Sequence, residues 1–140
     1  MRDITIINLL LFSFLIGCVA PKKTNNSSNM NNMMIRIAEI EIDTAYLEEY
    51  KAILKEESEA SVRLEPGVIC IYPMYRKDAP TQIRLLEIYA DKGAYENHLQ
   101  TAHFQHYKTT TLKMVKSLQL VEMKAINPQA MALLFRKLNE

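Results

Sequence analysis

The stretch EPGVICIYPMYRKDAPTQIRLLEIYAD, Glu65 to Asp91, decides how this chain folds. It opens with Glu65-Pro66-Gly67, which stops a helix and turns the backbone. Val68 to Arg76 then reads as a strand rich in β-branched and aromatic residues, and Gln82 to Ala90 as another. The connection, Lys77-Asp78-Ala79-Pro80-Thr81, is short and polar, so the two strands make a hairpin. Alternate strand residues point to opposite faces. Here both parities are apolar: Ile69 and Ile71 against Cys70 and Met74, and Leu85 against Leu86 and Ile88. Both faces of the sheet therefore need cover.

Upstream, Met34 to Ile42 is a strand with Ile35 and Ile37 on one parity and Ala38, Ile40 and Ile42 on the other. That pattern fits a strand covered on both faces, or one with a bulge near Ala38. Asp43 or Thr44 caps a helix whose apolar positions are Tyr46, Leu47, Tyr50, Ile53, Leu54 and Leu64. Downstream, Asp91 caps a short helix, Lys92 to Leu99, and Thr101 caps another, Ala102 to Lys116. The second should bury Phe104, Tyr107, Thr111, Met114 and Val115. Leu118 to Ile126 is the fourth strand, ended by Asn127-Pro128. The tail, 127–140, carries Met131, Leu134, Phe135 and Leu138 on one helical stripe. The order β-α-β-β-α-β is the ferredoxin-like α+β pattern, an antiparallel sheet with helices on one face. A homodimer packed sheet to sheet would cover the other face.

The chain has 140 residues, enough for one domain. Seventeen basic and sixteen acidic residues leave a formal charge of +1. No basic block interleaved with aromatics appears, so a nucleic-acid partner is not supported. The first residues read as an export leader: Ile4 to Ile16 is mostly apolar and uncharged, too short for a membrane span and suited to a signal-peptide core. It ends in Leu15-Ile16-Gly17-Cys18, which resembles a bacterial lipobox. On that reading residues 1–17 are removed, Cys18 is lipidated, and the protein is a membrane-anchored lipoprotein of the cell envelope. The alternatives are a generic signal peptide with a cysteine near its cleavage site, or translation from Met33 or Met34. Residues 18–33 form a polar, Asn-rich tether with nothing to bury, reaching roughly 20 Å as a flexible coil. If Cys18 carries lipid, Cys70 has no disulfide partner.

Glu65-Pro66-Gly67, then Leu86-Glu87-Ile88-Tyr89-Ala90-Asp91, then His98-Leu99 and Thr101-Ala102-His103-Phe104 resemble the antibiotic biosynthesis monooxygenase (ABM) family, and its small quinol monooxygenase-like members in particular. The resemblance covers about residues 34–126 and rests on the order and spacing of these pieces. It implies a dimeric α+β barrel with a pocket in each subunit between sheet and helices. It also implies a cofactor-independent monooxygenase acting on a small aromatic or quinol compound, here at a membrane surface. Tyr89 stands where Trp is usual, and the chain has no Trp. The haem-degrading relatives use a strand Asn that Ala38-Glu39-Ile40 does not supply, which disfavours haem degradation.

Such an oxygenase needs an apolar pocket, a base, and donors for the substrate anion, with no metal or flavin. His98 and His103 match the family's histidines and are the candidate catalytic bases, since imidazole titrates near working pH. Tyr72, Arg84 and Tyr89 are the candidate substrate-binding donors. Each has a structural reading too: local hydrogen bonding for His103, the helix dipole or solvent for His98, core or dimer packing for the tyrosines. Glu87, on an otherwise apolar strand, reads as a buried acid paired with an arginine or a backbone donor. No metal site is expected. His98 and His103 are not stacked on a helix, only His103 and His106 could share a face, and no carboxylate or cysteine completes a set. Cys70 reads as a small core residue. The rival function is a non-catalytic, lipid-anchored dimeric module that holds a small apolar ligand; the fold permits either. A purely structural dimer would have its pocket filled by side chains.

Overall fold

The computed structural model describes residues 30–137. The leader, Cys18, most of the tether and Leu138 lie outside these residues. After a short 3-10 turn, the elements are β1 (Met34–Ile42), α1 (Leu47–Leu64), β2 (Val68–Arg76), β3 (Ala79–Tyr89), α2 (Lys92–His98), α3 (Ala102–Thr111), β4 (Val115–Met123) and α4 (Ala130–Lys137). The sheet runs β2-β3-β1-β4 and is antiparallel throughout. This is the ferredoxin-like α+β fold that the element order predicts. Among the described residues no helix is long and apolar enough to cross a membrane.

The caps read from the sequence hold. Asp43 Oδ1 accepts from the Ala45 N–H at 2.9 Å, opening the 3-10 turn Thr44–Tyr46 that leads into α1. Asp91 Oδ1 does the same for Ala94 at 2.8 Å, and Thr101 Oγ1 for Phe104 at 3.3 Å. Glu48 and Glu49 in the first turn of α1 and Arg63 in its last complement the helix dipole. Glu65 leaves the helix in an extended conformation, as a residue before proline must.

Three boundaries differ from expectation. The hairpin turn is only Lys77-Asp78, tightened by Arg76, whose guanidinium meets Asp78 at 2.6 Å; β3 therefore starts at Ala79, not Gln82. Pro80 is tolerated there because β1 pairing begins only at Gln82. Helix α3 stops at Thr111 rather than Lys116. The hydroxyls of Thr109 and Thr111 bond back to the carbonyls of Gln105 and Tyr107, and a 3-10 turn, Leu112–Met114, follows. Strand β4 accordingly begins at Val115, and it ends at Met123, opposite Ile35 at the start of β1.

The register of β1 is continuous through Ala38, so that strand has two covered faces in prospect and no bulge there. The shifts fall at Glu41/Ile42, at Val68/Cys70 and, beside the hairpin turn, at Tyr75/Arg76. The second lets Val68 and Ile71, of opposite parity, both join the helix-side core. That core gathers Ala38, Ile40 and Ile42 of β1, Ile83, Leu85 and Tyr89 of β3, Tyr50 and Leu54 of α1, and Met114. The other sheet face presents Ile35, Ile37, Leu86, Tyr72 and Met74, with Tyr72 61% exposed.

Candidate active site

Between the sheet and the helices lies a cavity of about 420 Å³, within the range of small-molecule sites. Ala38, Ile40, Ile71 and Leu85 form its floor; Leu99, Phe104, Tyr107 and Leu112 come from the helix side, and Leu118 and Leu120 from β4. The open volume disagrees with a pocket filled by side chains. Four ionisable groups of the lining form two pairs, Arg36 with Glu87 and His98 with Glu57, and Tyr95, Tyr107 and Lys108 join them.

The register of β1 and β3 pairs Arg36 with Glu87, and Arg36 Nε donates to Glu87 Oε2 at 2.6 Å. This is the arginine that the buried Glu87 required. Burial works against the Arg36 charge, but Glu87 and Tyr95 outweigh it and raise its pKa above the ordinary arginine value. Its guanidinium carbon lies 4.5 Å from the Tyr95 ring centre, a cation–π contact.

His98 is buried at the end of α2, its ring packed on Phe104 and Tyr89 at 4.7 and 5.5 Å between centres. Its Nδ1 lies 3.0 Å from Glu65 Oε1, and its Nε2 lies 3.6 Å from Glu57 Oε1. His103 Nε2 meets the same Glu65 oxygen at 2.5 Å. Burial pushes the Glu65 carboxyl up, but hydrogen bonds from the two imidazoles outweigh it and leave the group below the usual carboxylate range. Glu65 is thus an ionised acceptor. This assigns the hydrogen of His98 to Nδ1 and leaves Nε2 on the side of Glu57. Glu57 is buried, accepts from Ser61 Oγ at 2.9 Å, and burial raises its pKa over the opposing pull of Ser61, His98 and His103.

The structure brings both predicted histidines together on Glu65, but only His98 lines the cavity. His103 instead borders an adjoining crevice of about 240 Å³ that lies beside His106 and shares Glu57 and Tyr107 with the cavity. Tyr89 is fully buried under Tyr95 and His98; its Oη has no hydrogen-bond partner, and burial drives its pKa well above the tyrosine range. Tyr72 and Arg84 are not brought to this site. They sit on the opposite sheet face, where Arg84 pairs with Glu39 at 3.4 Å. Tyr107, expected from the sequence as a buried residue of α3 and not as a site residue, lines the cavity; its hydroxyl meets that of Tyr50 at 2.7 Å, and burial pushes its pKa up to about 12.

Glu57 and Glu65 also escaped the sequence reading as chemical groups. Glu57 had a usable signal: it continues the buried stripe Tyr50, Leu54, Ser58, Ser61 at helical spacing. Glu65 supplies the carboxylate that the histidine spacing alone did not reveal, since it comes from the end of a different helix. Among the described residues, Glu65, His98 and His103 have candidate ligand atoms within 4.8 Å of one another. The contacts to Glu65 Oε1, at 2.5 and 3.0 Å, are hydrogen-bond lengths. Bonds of about 2.0 Å to a tetrahedral ion would hold ligand atoms roughly 3.3 Å apart. The cluster fits shared protons better than a metal ion.

A model of the family described as antibiotic biosynthesis monooxygenase matches residues 33–110. No curated protein matches the chain. Among solved structures, a "putative antibiotic biosynthesis monooxygenase" from Bacteroides thetaiotaomicron is 47% identical, with a TM-score of 0.70, over 71% of this chain and 94% of that one. A "putative monooxygenase" from Lactobacillus acidophilus is 29% identical, with a TM-score of 0.66, over 67% of this chain and 45% of that one. A "putative antibiotic biosynthesis monooxygenase" from Nitrosomonas europaea, 24% identical over 70% of this chain and 94% of that one, shares the fold at a TM-score of 0.66. Residues 33–110 carry the whole run from β1 through the His98–Glu65–His103 cluster, and by that match and the 47% alignment the chain belongs to the antibiotic biosynthesis monooxygenase family.

Proposed function

We propose that the protein is a cofactor-independent monooxygenase for a small aromatic or quinol compound, acting as a homodimer held at a membrane surface by lipid on Cys18. The observation that carries the catalytic part is the cavity: an apolar chamber of about 420 Å³ with His98, Glu57 and the Arg36–Glu87 pair in its lining. An aromatic ring fits between Leu85, Phe104 and Tyr107, and a ring hydroxyl turned toward His98 loses its proton to Nε2. Glu65 holds that tautomer from the other side, as a carboxylate commonly does for a catalytic imidazole. The Arg36 charge favours the anion so formed, and the anion is electron-rich enough to reduce dioxygen itself. The anchor rests on the Leu15-Ile16-Gly17-Cys18 sequence.

Oxygen consumption in the presence of 1,4-naphthohydroquinone and anthrone tests this. The protein should raise uptake above autoxidation, and His98→Gln should lower that gain roughly 100-fold, the scale of a lost general base. Cys18→Ser should abolish incorporation of labelled palmitate and leave the leader uncleaved, and a chain begun at residue 19 behind no leader should keep the activity in the soluble fraction. Uptake no faster than buffer with either compound, or a probe that is bound and recovered unconverted, overturns the enzyme reading; the second result favours a binding module.

A further inference from the structure

Taking the oxygenase reading as its basis, we propose that Glu57 is a second catalytic residue: the acid that returns to the oxygen-derived group the proton His98 removes from the substrate. The placement is the first argument. Glu57 and His98 both line the cavity, and they reach it from different elements, α1 and α2. At 3.6 Å, Glu57 Oε1 and His98 Nε2 are too far apart to be hydrogen-bonded to each other. Each is therefore available to a ligand, yet close enough to exchange a proton once either moves by a few tenths of an ångström.

The second argument is protonation. Glu65 is the ionised carboxylate of the cluster because two imidazoles donate to it. Glu57 has one donor, the Ser61 hydroxyl, and is almost fully removed from water. Burial, with a smaller push from the Glu87 charge, raises the Glu57 pKa over the pull of Ser61, His98 and His103, so this position favours the neutral acid more than an exposed glutamate does. An acid and a base side by side with opposed protonation is the arrangement that two-step proton transfer needs.

The cycle then balances. The substrate O–H bond breaks and an N–H bond forms at His98 Nε2, leaving an imidazolium between Glu65 and Glu57. The substrate anion reduces dioxygen and forms a carbon–oxygen bond, giving a peroxide anion on the ring. Glu57 donates its proton to that peroxide, and the resulting carboxylate takes the proton from His98 Nε2. Both groups return to their starting state, and the hydroperoxide then loses water: the C–H and O–O bonds at that carbon break, one oxygen stays as a carbonyl and the other leaves as water. The substrate supplies the electrons, and its own proton has moved to the peroxide without crossing to solvent. His103, half-hidden behind Glu65, acts as a positioning residue and takes no proton in this scheme. The ionisable groups facing the pair are Tyr50 from α1 and Glu65 from its end, His103, Tyr107 and Lys108 from α3, Tyr95 from α2, Tyr89 and Glu87 from β3 and Arg36 from β1.

Glu57→Gln keeps the shape and can still accept from Ser61, but has no proton to give. Two measurements on the full chain separate the outcomes. With 4-nitrophenol, whose phenolate absorbs in the visible, wild type and Glu57→Gln should both bind the probe ionised at a pH where free probe is mostly neutral; His98→Gln should bind it neutral. With the quinol and anthrone probes, Glu57→Gln should lose roughly 100-fold in oxygen uptake. Its pH profile should also lose the fall on the alkaline side, because a general acid works only while protonated and wild-type rate must drop as pH rises through the Glu57 pKa. A Glu57→Gln rate within about twofold of wild type, or an alkaline limb that survives, overturns the assignment. Absence of uptake in the wild type instead overturns the oxygenase reading on which it stands.

Discussion

Arg36 and Glu87 meet 51 positions apart in sequence because strand register puts their Cα atoms opposite each other. Both side chains are under 10% exposed, so each charge depends on the other. Removing one partner from such a buried pair costs about 3–5 kcal/mol, whereas replacing both by apolar residues of similar volume is close to neutral. We therefore expect Arg36→Met and Glu87→Leu each to lower the urea-unfolding free energy by that amount, and the double variant to recover most of it. Equal and additive losses would show that the two residues act separately. The sequence announced half of this pair. An acid alone on an apolar strand demands a partner, but nothing local says that the partner is Arg36, since that follows from register. The same limit explains Tyr72 and Arg84. With both parities apolar, patterning separates the two faces of a strand without saying which one meets the helices, and these two residues fell on the other.

At the scale of elements, the Glu65-Pro66-Gly67 turn does more than end α1. The Gly67 carbonyl accepts from Ala90 at 2.8 Å, tying the turn to the end of β3, and α2 presses directly on the glycine. A Cβ placed on Gly67 would lie 2.5 Å from the Ala94 Cβ. Glycine is needed here for closeness, with no unusual backbone angle involved. Gly67→Ala must push α2 outward. Overpacking of this kind costs about 1–3 kcal/mol, and the shift would draw His98 away from Glu65. The expected result is a lower melting temperature together with weaker ionisation of bound 4-nitrophenol. A melting temperature unchanged from wild type would show that α2 yields freely. The motif was visible as a turn; its work in joining two histidines to one carboxylate was not, because α1, α2 and α3 converge only in three dimensions. Element order and caps were legible from residues that act locally, such as Asp43, Asp91 and Thr101. The end of α3 falls short of the periodicity because a run of threonines competes for helix carbonyls, an effect that hydrophobic spacing does not register.

For the molecule as a whole, the unresolved physical demand is the second face of the sheet. Ile35, Ile37, Leu86, Tyr72 and Met74 lie together there, and Val121 and Met123 of β4 extend the patch. The polar residues Glu39, Arg84, Gln82, Gln119 and Ser117 occupy the other end of the same face. A domain of this size buries a modest fraction of its apolar surface, so leaving this patch wet would forfeit stability it can hardly spare. A second copy offers an identical patch, and two-fold symmetry makes that patch complementary to itself. If the proposed homodimer forms through this face, sedimentation equilibrium should give twice the chain mass at micromolar concentration. Melting temperature should then rise with protein concentration, as it does when only the folded dimer is stabilised. Ile37→Glu would put a charge into the apolar patch of each copy and should yield a monomer that melts lower. Glu39→Gln, at the polar end, should leave the dimer intact. A wild-type chain that sediments as a monomer, with a melting temperature independent of concentration, would refute sheet-to-sheet pairing. The cavity lies on the helix side of the sheet, so it should then keep its affinity for 4-nitrophenol whether or not the partner is present.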